Sequence, residues 1–111
     1  MGLPERGDIV VVTFPFSDLS DAKLRPALVV ADAGHGEFIL CQLTSQSYHP
    51  DAIEVHPGTD VSNGKLRQTS YVRPLKLFTA DLIVMRGVIG RLSEAKLATV
   101  VERIIGAIDP R

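Results

Sequence analysis

The sequence has few of the residues that build metal centres or disulfide-bonded scaffolds. Its 111 residues include one cysteine, Cys41, and three histidines, and none shows paired ligand spacing such as Cys-x-x-Cys or His-x-x-x-His. One cysteine cannot form an internal disulfide, so Cys41 is expected as a small buried residue in an apolar run. No glycine-rich phosphate loop opens a helix after a strand, which leaves P-loop and Rossmann folds unsupported. We therefore expect no metal ion and no cofactor.

Long apolar segments are also lacking. No run approaches the roughly 20 apolar residues that a transmembrane helix needs, and residues 1–8 do not have the pattern of a secretory signal. An apolar fraction of 45% is ordinary for a globular protein, and the length corresponds to one domain. The expectation is a single domain over residues 1–111, cytoplasmic and without a membrane association.

Charge is unevenly distributed along the chain. The net charge is −1, but residues 1–55 hold three basic and eight acidic side chains, whereas residues 56–111 hold nine basic and five acidic ones. Within residues 65–91 there are six bases and one acid, Asp81. This asymmetry permits a local positive face that would suit an anionic ligand. A set of solvated charges at strand edges is the alternative that charge alone leaves open.

Short β-branched runs separated by turn residues predict a mainly β fold. The first three runs, spaced as in an antiparallel meander, are residues 8–14, 25–31 and 37–44. Further strands are expected near residues 52–56, 70–78 and 84–92, with Pro74 indicating a sheet edge or a bulge and Gly87 and Gly90 indicating bends or close packing.

Two of these runs are apolar at consecutive positions instead of alternating. Strands of this kind are covered on both faces. In so small a chain, the second face must be covered by a helix or by another subunit, and we therefore expect a homodimer.

The last element is predicted to be an amphipathic helix. Ser93 is a suitable N-cap, and Glu94 follows in the positive first turn. Asp109 and Pro110 then end the helix. Its apolar stripe falls at helical spacing on residues Leu97, Val100, Val101, Ile104, Ile105 and Ile108.

Polar side chains stand at the ends of two apolar strands. Arg25 directly precedes the second run, and Thr44, Ser45 and Gln46 end or follow the third. If these strands are antiparallel neighbours, the start of one lies beside the end of the next. An arginine fork with two hydroxyl groups could then hold a phosphate. An ordinary edge charge next to ordinary turn residues remains the alternative reading of this spacing.

Motifs in order along nearly the whole chain resemble those of the MazF/PemK-like toxins. They are Gly7-Asp8-Ile9-Val10-Val11-Val12, Arg25-Pro26-Ala27-Leu28-Val29-Val30, the Thr44-Ser45 step, Ser70-Tyr71-Val72-Arg73 through Phe78-Thr79-Ala80-Asp81, and Gly87-Val88-Ile89-Gly90-Arg91-Leu92. The resemblance implies an SH3-like barrel with a C-terminal helix, a homodimer, and metal-independent cleavage of single-stranded RNA. It also implies a small antitoxin protein whose tail blocks the RNA groove.

The resemblance also implies roles for individual residues. Arg25 matches the family's essential arginine, and Thr44 its supporting hydroxyl, with Ser45 adjacent. Attack by the 2′-hydroxyl on the neighbouring phosphate would leave a cyclic phosphate and a 5′-hydroxyl. Residues implied in substrate binding are Phe16, Ser17 and Asp18 in the loop after the first strand, Gln46, and Arg73.

One position departs from the family pattern. Members that use the arginine at position 73 often carry an acid two residues later, where this sequence has Leu75. A general base from that position is absent, so the base stays unassigned among Asp18, His35 and His49. Phe16 and Tyr48 could stack on unpaired bases, or could simply pack.

Two functions of other classes remain as alternatives. The first is a non-catalytic toxin that poisons DNA gyrase, which in this fold relies on an aromatic residue near the C-terminus. This chain has no tryptophan and ends Ile108-Asp109-Pro110-Arg111, which counts against it. The second is a non-catalytic nucleic-acid-binding module, which would not need Arg25, Thr44 and Ser45 together.

Overall fold

The computed structural model describes residues 3–14, 23–64 and 66–111. In chain order, its elements are β1 (Asp8–Phe14), β2 (Lys23–Gly34), β3 (Glu37–Thr44), β4 (Ile53–Val55), β5 (Val61–Ser62), β6 (Ser70–Asp81), a 3-10 turn (Leu82–Val84), β7 (Met85–Leu92) and α1 (Glu94–Ile108). The predicted mainly β fold with a C-terminal helix is confirmed.

All seven strands belong to one antiparallel sheet in the order β4-β6-β3-β2-β1-β7-β5, rolled into a nearly closed barrel. The predicted meander of the first three strands is confirmed, since β2 pairs with both β1 and β3. The long strand β6 then pairs with β3, and β7 returns to pair with β1. The shortest strands, β4 and β5, lie at the two ends of this order.

Two apolar clusters cover opposite faces of the central strands. The helix-side cluster is formed by Ile9, Leu28, Cys41, Leu43, Ile53, Val55, Leu66, Val72, Leu92, Leu97 and Val100. The second-face cluster is formed by Val10, Val12, Ala27, Val29, Phe38, Leu40 and Ala80. Neighbouring residues of one strand therefore enter different clusters, as alternation requires. This explains the continuous apolar runs.

Both clusters are buried within one chain. In the second-face cluster, Val12, Val29 and Leu40 are fully buried without a partner subunit. Phe78 of β6, with Val84 and Met85 from the turn into β7, packs against this cluster. The continuous apolar runs therefore do not require a second subunit, and the homodimer stays a prediction.

Helix α1 begins and ends where the sequence predicts. The Ser93 side chain accepts the backbone N–H of Lys96 at 3.2 Å, and the helix ends at Asp109. Leu97 and Val100 are buried against the sheet, whereas Ile105 and Ile108 stay exposed. The predicted apolar stripe is therefore only partly covered. Within the described residues, no helix is long and apolar enough to span a membrane.

Some strand boundaries differ from the prediction. Strand β2 begins at Lys23 because it pairs there with Phe14 of β1, and it runs to Gly34, which pairs with Glu37 of β3. Strand β6 continues to Asp81 because it also pairs with Glu37. The two-residue strand β5 was not predicted, since Val61–Ser62 is too short to produce a pattern. Close packing at Gly90 is confirmed, because a Cβ there would meet Val61 Cγ1 at 2.6 Å.

Candidate functional site

Strands β2 and β3 bring Arg25 to the level of Thr44. Ala27 pairs with Gln42, and Leu28 pairs with Cys41 in this antiparallel ladder. Continued by two residues past the Ala27–Gln42 pair, this register brings Arg25 level with Thr44. The closeness of the two side chains stays a prediction.

These residues belong to a group of polar side chains that continues the second face of the sheet. Alternation places Arg25 on the side of Ala27 and Val29, and places Gln42 and Thr44 on the side of Phe38 and Leu40. Across the next ladder, Thr44 pairs with Tyr71, and Arg73 follows two residues later. We call this group the polar patch; it consists of Arg25, Gln42, Thr44, Tyr71 and Arg73.

Thr44 ends β3 with its hydroxyl group partly engaged. The Thr44 Oγ1 accepts the backbone N–H of Gln46 at 3.1 Å, so the chain turns immediately after the strand. The hydroxyl hydrogen can still be donated to a bound oxygen. Ser45 and Gln46 are exposed beyond the strand end. This turn therefore presents two hydroxyl groups and one amide next to the polar patch.

Arg73 lies in a bulge that interrupts the ladder between β3 and β6. Cys41 pairs with Leu77 and Leu43 pairs with Val72, so only Gln42 on β3 faces the four residues 73–76 on β6. The bulge that Pro74 suggested is therefore confirmed; this proline is fully buried, and it has no N–H to donate to the ladder. The pairing of Leu43 with Val72 brings Arg73 level with Gln42 on the adjacent strand, at the point where the bulge begins.

Gln42, like Tyr71, is a patch residue that the sequence did not single out. Its Oε1 atom and the Nε atom of Arg73 are both buried, and neither has a hydrogen-bond partner among the described residues. The available signal was a single amide inside the apolar run Cys41-Gln42-Leu43. Leaving such groups unpaired is unfavourable, so a buried donor and acceptor at one place call for a physical explanation.

Of the remaining residues predicted for the site, some lie within the described residues and others do not. Phe16, Ser17 and Asp18 lie outside the described residues. Tyr48 is 71% exposed, and its ring centroid lies 4.4 Å from that of His49. These two rings follow Thr44 closely, so an aromatic surface is available beside the turn.

The candidate base His35 lies at the opposite end of β2 from Arg25. It lies in the turn between β2 and β3, with a φ of 55°. Arg25 is at the other end of β2, roughly 30 Å away along the strand. His35 is therefore too far from the polar patch to serve as its base, and a solvated turn residue is the better description.

The basic side chains of residues 65–91 do not all contribute free charge. Arg91 forms a 2.9 Å ion pair with Asp8, and Arg86 donates to Thr13 Oγ1 at 3.3 Å. Lys65 lies outside the described residues. Arg73 is the described member of this group that joins the polar patch, where it adds a second guanidinium to that of Arg25. Two such groups on one face suit a phosphodiester.

In the part of the chain that the structure describes, no group of three or more His, Cys, Asp or Glu side chains could hold a metal ion. The polar patch itself contains no acidic residue or histidine. Its guanidinium, amide and hydroxyl groups suit an anionic ligand and not a cation.

Comparison with known proteins identifies the family. A family model described as the PemK-like, MazF-like toxin of type II toxin-antitoxin systems matches residues 5–108. Among curated proteins, none matches the chain in sequence. Several solved structures share the fold at low sequence identity.

A MazE–MazF complex from Deinococcus radiodurans includes a chain that is 20% identical, with a TM-score of 0.78 and 97% of each chain covered. An endoribonuclease in complex with its cognate antitoxin from a mycobacterial species is 16% identical, with a TM-score of 0.73, and 97% of this chain and 95% of that chain are covered. The Mycobacterium tuberculosis toxin MazF-mt6 is 18% identical, with a TM-score of 0.69 and coverages of 92% and 96%. At these identities, the structures support the barrel alone, whereas the match over residues 5–108 shows that the chain belongs to the PemK-like, MazF-like toxin family of type II toxin-antitoxin systems.

Proposed function

We propose that this chain is a metal-independent, sequence-selective endoribonuclease that cleaves single-stranded RNA. What supports the proposal is the β2–β3 register, which, continued by two residues past the Ala27–Gln42 pair, brings Arg25 level with Thr44 on the same face of the sheet as Arg73. Two guanidinium groups and a hydroxyl group on one face suit a phosphodiester. Two proteins of the same fold are described as an endoribonuclease and as the toxin MazF-mt6, which agrees with the proposal.

The reaction is an internal transfer at phosphorus. A base removes the proton from the 2′-hydroxyl, and the oxygen attacks the adjacent phosphorus. The bond from phosphorus to the 5′-oxygen breaks, and that oxygen takes up a proton. The products are a 2′,3′-cyclic phosphate and a 5′-hydroxyl, and no water or metal enters the bond changes.

Arg25 is assigned to stabilise the negative charge that develops on the phosphate oxygens. A guanidinium stays protonated at physiological pH and donates two parallel hydrogen bonds to a phosphate. Preorganised donors aimed at developing charge supply a large part of many rate enhancements. Proton donation to the leaving oxygen could also come from Arg25 in a shielded site, as the family resemblance implies.

Thr44, Ser45 and Arg73 complete the set around the phosphate. The Thr44 hydroxyl hydrogen and the exposed Ser45 hydroxyl can donate to phosphate oxygens. Arg73 adds positive charge from the neighbouring strand, and Gln46 can contact a base. Leu75 is 50% exposed in the same bulge and cannot accept a proton, so the base must come from another residue.

His49 is the candidate base that the described residues favour. It follows Thr44 by five residues, and its ring lies beside that of Tyr48. A ring nitrogen of imidazole can accept a proton, which is what this role requires. Asp18 stays an alternative, in the loop that the resemblance places beside the RNA.

The decisive experiment is cleavage of a long single-stranded RNA by the purified protein in EDTA, with the product ends mapped. Wild type is expected to give discrete cuts with 5′-hydroxyl ends, and Arg25→Ala to give none. Arg111→Ala is the matched control, because this arginine is 89% exposed at the C-terminus, away from the patch. Intact RNA with wild type, or equal cutting by the Arg25 variant, would refute the catalytic assignment.

The proposed partners are single-stranded RNA, a cognate antitoxin and a second copy of this chain. Two structures of the same fold are complexes, one of an endoribonuclease with its cognate antitoxin and one of MazF with MazE. A homodimer is favoured by apolar side chains left exposed around α1 and β6, among them Leu75, Leu77, Ile105 and Ile108. Sedimentation equilibrium of wild type beside Ile108→Glu tests this, with a monomeric wild type as the contrary result.

A further inference from the structure

Gln42 and Arg73 lie where the regular pairing of β3 with β6 is interrupted. A single β3 residue, Gln42, faces the four β6 residues 73–76, and Pro74 within that bulge can donate no backbone hydrogen bond. Side chains therefore have to form hydrogen bonds with the backbone polar groups that the strand pairing leaves unpaired in the bulge. Bulges commonly redirect a side chain toward a functional site.

Within the part of the chain that the structure describes, each of the two side chains has a polar atom without a hydrogen-bond partner, and one atom is an acceptor while the other is a donor. Gln42 Oε1 is an acceptor, Arg73 Nε is a donor, and both atoms are buried with no hydrogen-bond partner among the described residues. Each unpaired group is unfavourable, and the two could be satisfied together by one hydrogen bond. Both side chains share the face of Arg25 and Thr44.

We propose that Gln42 is a positioning residue for Arg73. When an anionic strand draws the Arg73 guanidinium onto the polar patch, Gln42 Oε1 accepts the hydrogen bond from Arg73 Nε. The two terminal nitrogens of the guanidinium then point at the phosphate as a fixed fork. This inference rests on the proposed ribonuclease function, because it assigns Gln42 a part in the same site.

The geometry of arginine explains why an amide is suited to this position. A guanidinium is planar, so holding Nε fixes the direction of both terminal nitrogens. A neutral acceptor does so without cancelling the positive charge that the phosphate needs. Gln42 itself pairs with Ala27 in a regular part of the β2–β3 ladder, so its backbone is held firmly while the bulge carries Arg73.

The experiment follows the Arg73 Nε–H directly by NMR in protein labelled with ¹⁵N-arginine. The ligand is a single-stranded oligodeoxynucleotide, which lacks the 2′-hydroxyl and cannot be cut by the proposed reaction. In wild type, the oligonucleotide is expected to slow hydrogen exchange at Arg73 Nε by about tenfold or more. In Gln42→Met, which keeps the length of the side chain but removes the acceptor, exchange should stay fast.

Cleavage measurements give the second readout. At saturating RNA, Gln42→Met is expected to lower the single-turnover rate by about tenfold, with RNA affinity changed less than about threefold. Arg73→Lys keeps the charge but loses the Nε donor, and should give a similar loss. The double variant should be no slower than either single one, because both remove the same interaction. Gln42→Glu keeps an acceptor but adds a negative charge beside Arg73, so it should restore the protection of the Arg73 Nε–H without restoring the rate.

Gln68→Met is the matched control, since Gln68 is exposed and lies outside the polar patch; it should leave exchange and rate unchanged. Unchanged exchange in wild type on adding the oligonucleotide, or rate losses that multiply in the double variant, would overturn the proposal. If wild type shows the protection but never cuts RNA, the ribonuclease function fails and the positioning role stands. If it cuts RNA without the protection, only the positioning role fails.

Discussion

Asp8 and Arg91 join the first strand of the barrel to the last. Asp8 Oδ1 accepts a hydrogen bond from Arg91 Nη1 at 2.9 Å, while Asp8 Oδ2 accepts the backbone N–H of Glu5 at 2.8 Å. The Asp8 side chain is 13% exposed and that of Arg91 is 36% exposed. One carboxylate therefore fixes both the entry to β1 and its pairing with β7.

Replacing Asp8 by alanine is expected to lower the free energy of unfolding by about 1–3 kcal/mol, because two donors lose their acceptor. Arg91→Ala should lower it by less, about 0.2–1 kcal/mol, since the half-exposed guanidinium can turn to water. Urea unfolding measures both. Arg111→Ala is the control: it removes an ion pair of the same 2.9 Å length in which Arg111 is 89% exposed, and it should change little. An Arg91 effect as large as that of Asp8 would contradict this account.

Gly64 should not tolerate a side chain. A Cβ at this position would collide with the backbone carbonyl oxygen of Ile89, and its φ of +153° is unfavourable for other residues. Gly64→Ala is therefore expected to cost at least about 2 kcal/mol in the free energy of unfolding. In the control, Gly106→Ala, a Cβ meets nothing within 4 Å, and the change should stabilise α1 by about 0.5–1 kcal/mol. Equal thermal midpoints for the two variants would refute the steric explanation.

Loss of the helix cap should be measurable at Ser93. Its side chain accepts the backbone N–H of Lys96, and its own backbone N–H donates to Asp60. Ser93→Ala removes only the first bond and is expected to cost about 1 kcal/mol. Ser93→Asp should retain the stability of wild type, because aspartate also caps a helix and suits the positive end of the dipole. If Ser93→Ala has the same free energy of unfolding in urea as wild type, the cap contributes nothing.

The Cys41 thiol should be inert in the folded protein. Burial raises its pKa from the ordinary 9.0 to about 12, so the reactive thiolate is scarce at neutral pH. Iodoacetamide at pH 8 is expected to label the protein only in denaturant, as read by mass spectrometry. Labelling of the native protein at the rate of a free thiol would contradict the burial.

The same thiol contributes a pH dependence of stability with a definite sign. Above pH 9 the unfolded thiol loses its proton while the folded one keeps it to about pH 12. The unfolded state then binds fewer protons, so stability falls as the pH rises through this window. Wild type should lose stability from pH 9 upward more steeply than Cys41→Ala, and parallel curves would contradict the assignment.

The Thr44 hydroxyl is expected to act through hydrogen bonding in catalysis. Removing one donor to a developing oxyanion typically costs about 10²–10³ in rate, and a loss of this order is expected for Thr44→Val in single-turnover cleavage. Thr44→Ser should recover most of the activity, because it restores the hydroxyl group. Thr59→Val, an exposed threonine near β5, is the control. A rate for Thr44→Val equal to that of Thr59→Val would exclude a role for this hydroxyl.

Much of the fold could be predicted from the sequence because its elements have strong local signals. The β-branched runs of β1 to β3 and the cap and spacing of α1 each indicate one structure, and the structure agrees within a few residues. Arg25 and Thr44 could also be paired in advance, since a meander with a short turn fixes which strand ends meet.

What could not be predicted depends on contacts between distant residues. The bulge at residues 73–76 arises where β6 passes from one part of β3 to another, and no local pattern reports how many residues it takes up. The pairing of Leu43 with Val72 brings Gln42 level with Arg73, but this long-range register has no local signal, and an amide in an apolar run resembles an ordinary interruption. Val61–Ser62 was missed for a related reason, because its pairing with β7 defines it as a strand.

The pairing of β1 with β7 has a consequence for how the protein is made. Asp8 and Arg91 are 83 residues apart in the chain, yet they lie side by side in the sheet. The ribosome synthesises the chain from the N-terminus, so one edge of strand β1 stays unpaired until β7 has emerged. Arg25 and Thr44 can meet earlier, in the hairpin of β2 and β3, but Arg73 reaches them only when β6 docks. A nascent chain of this toxin therefore assembles its polar patch late in synthesis, when most of the polypeptide has already left the ribosome.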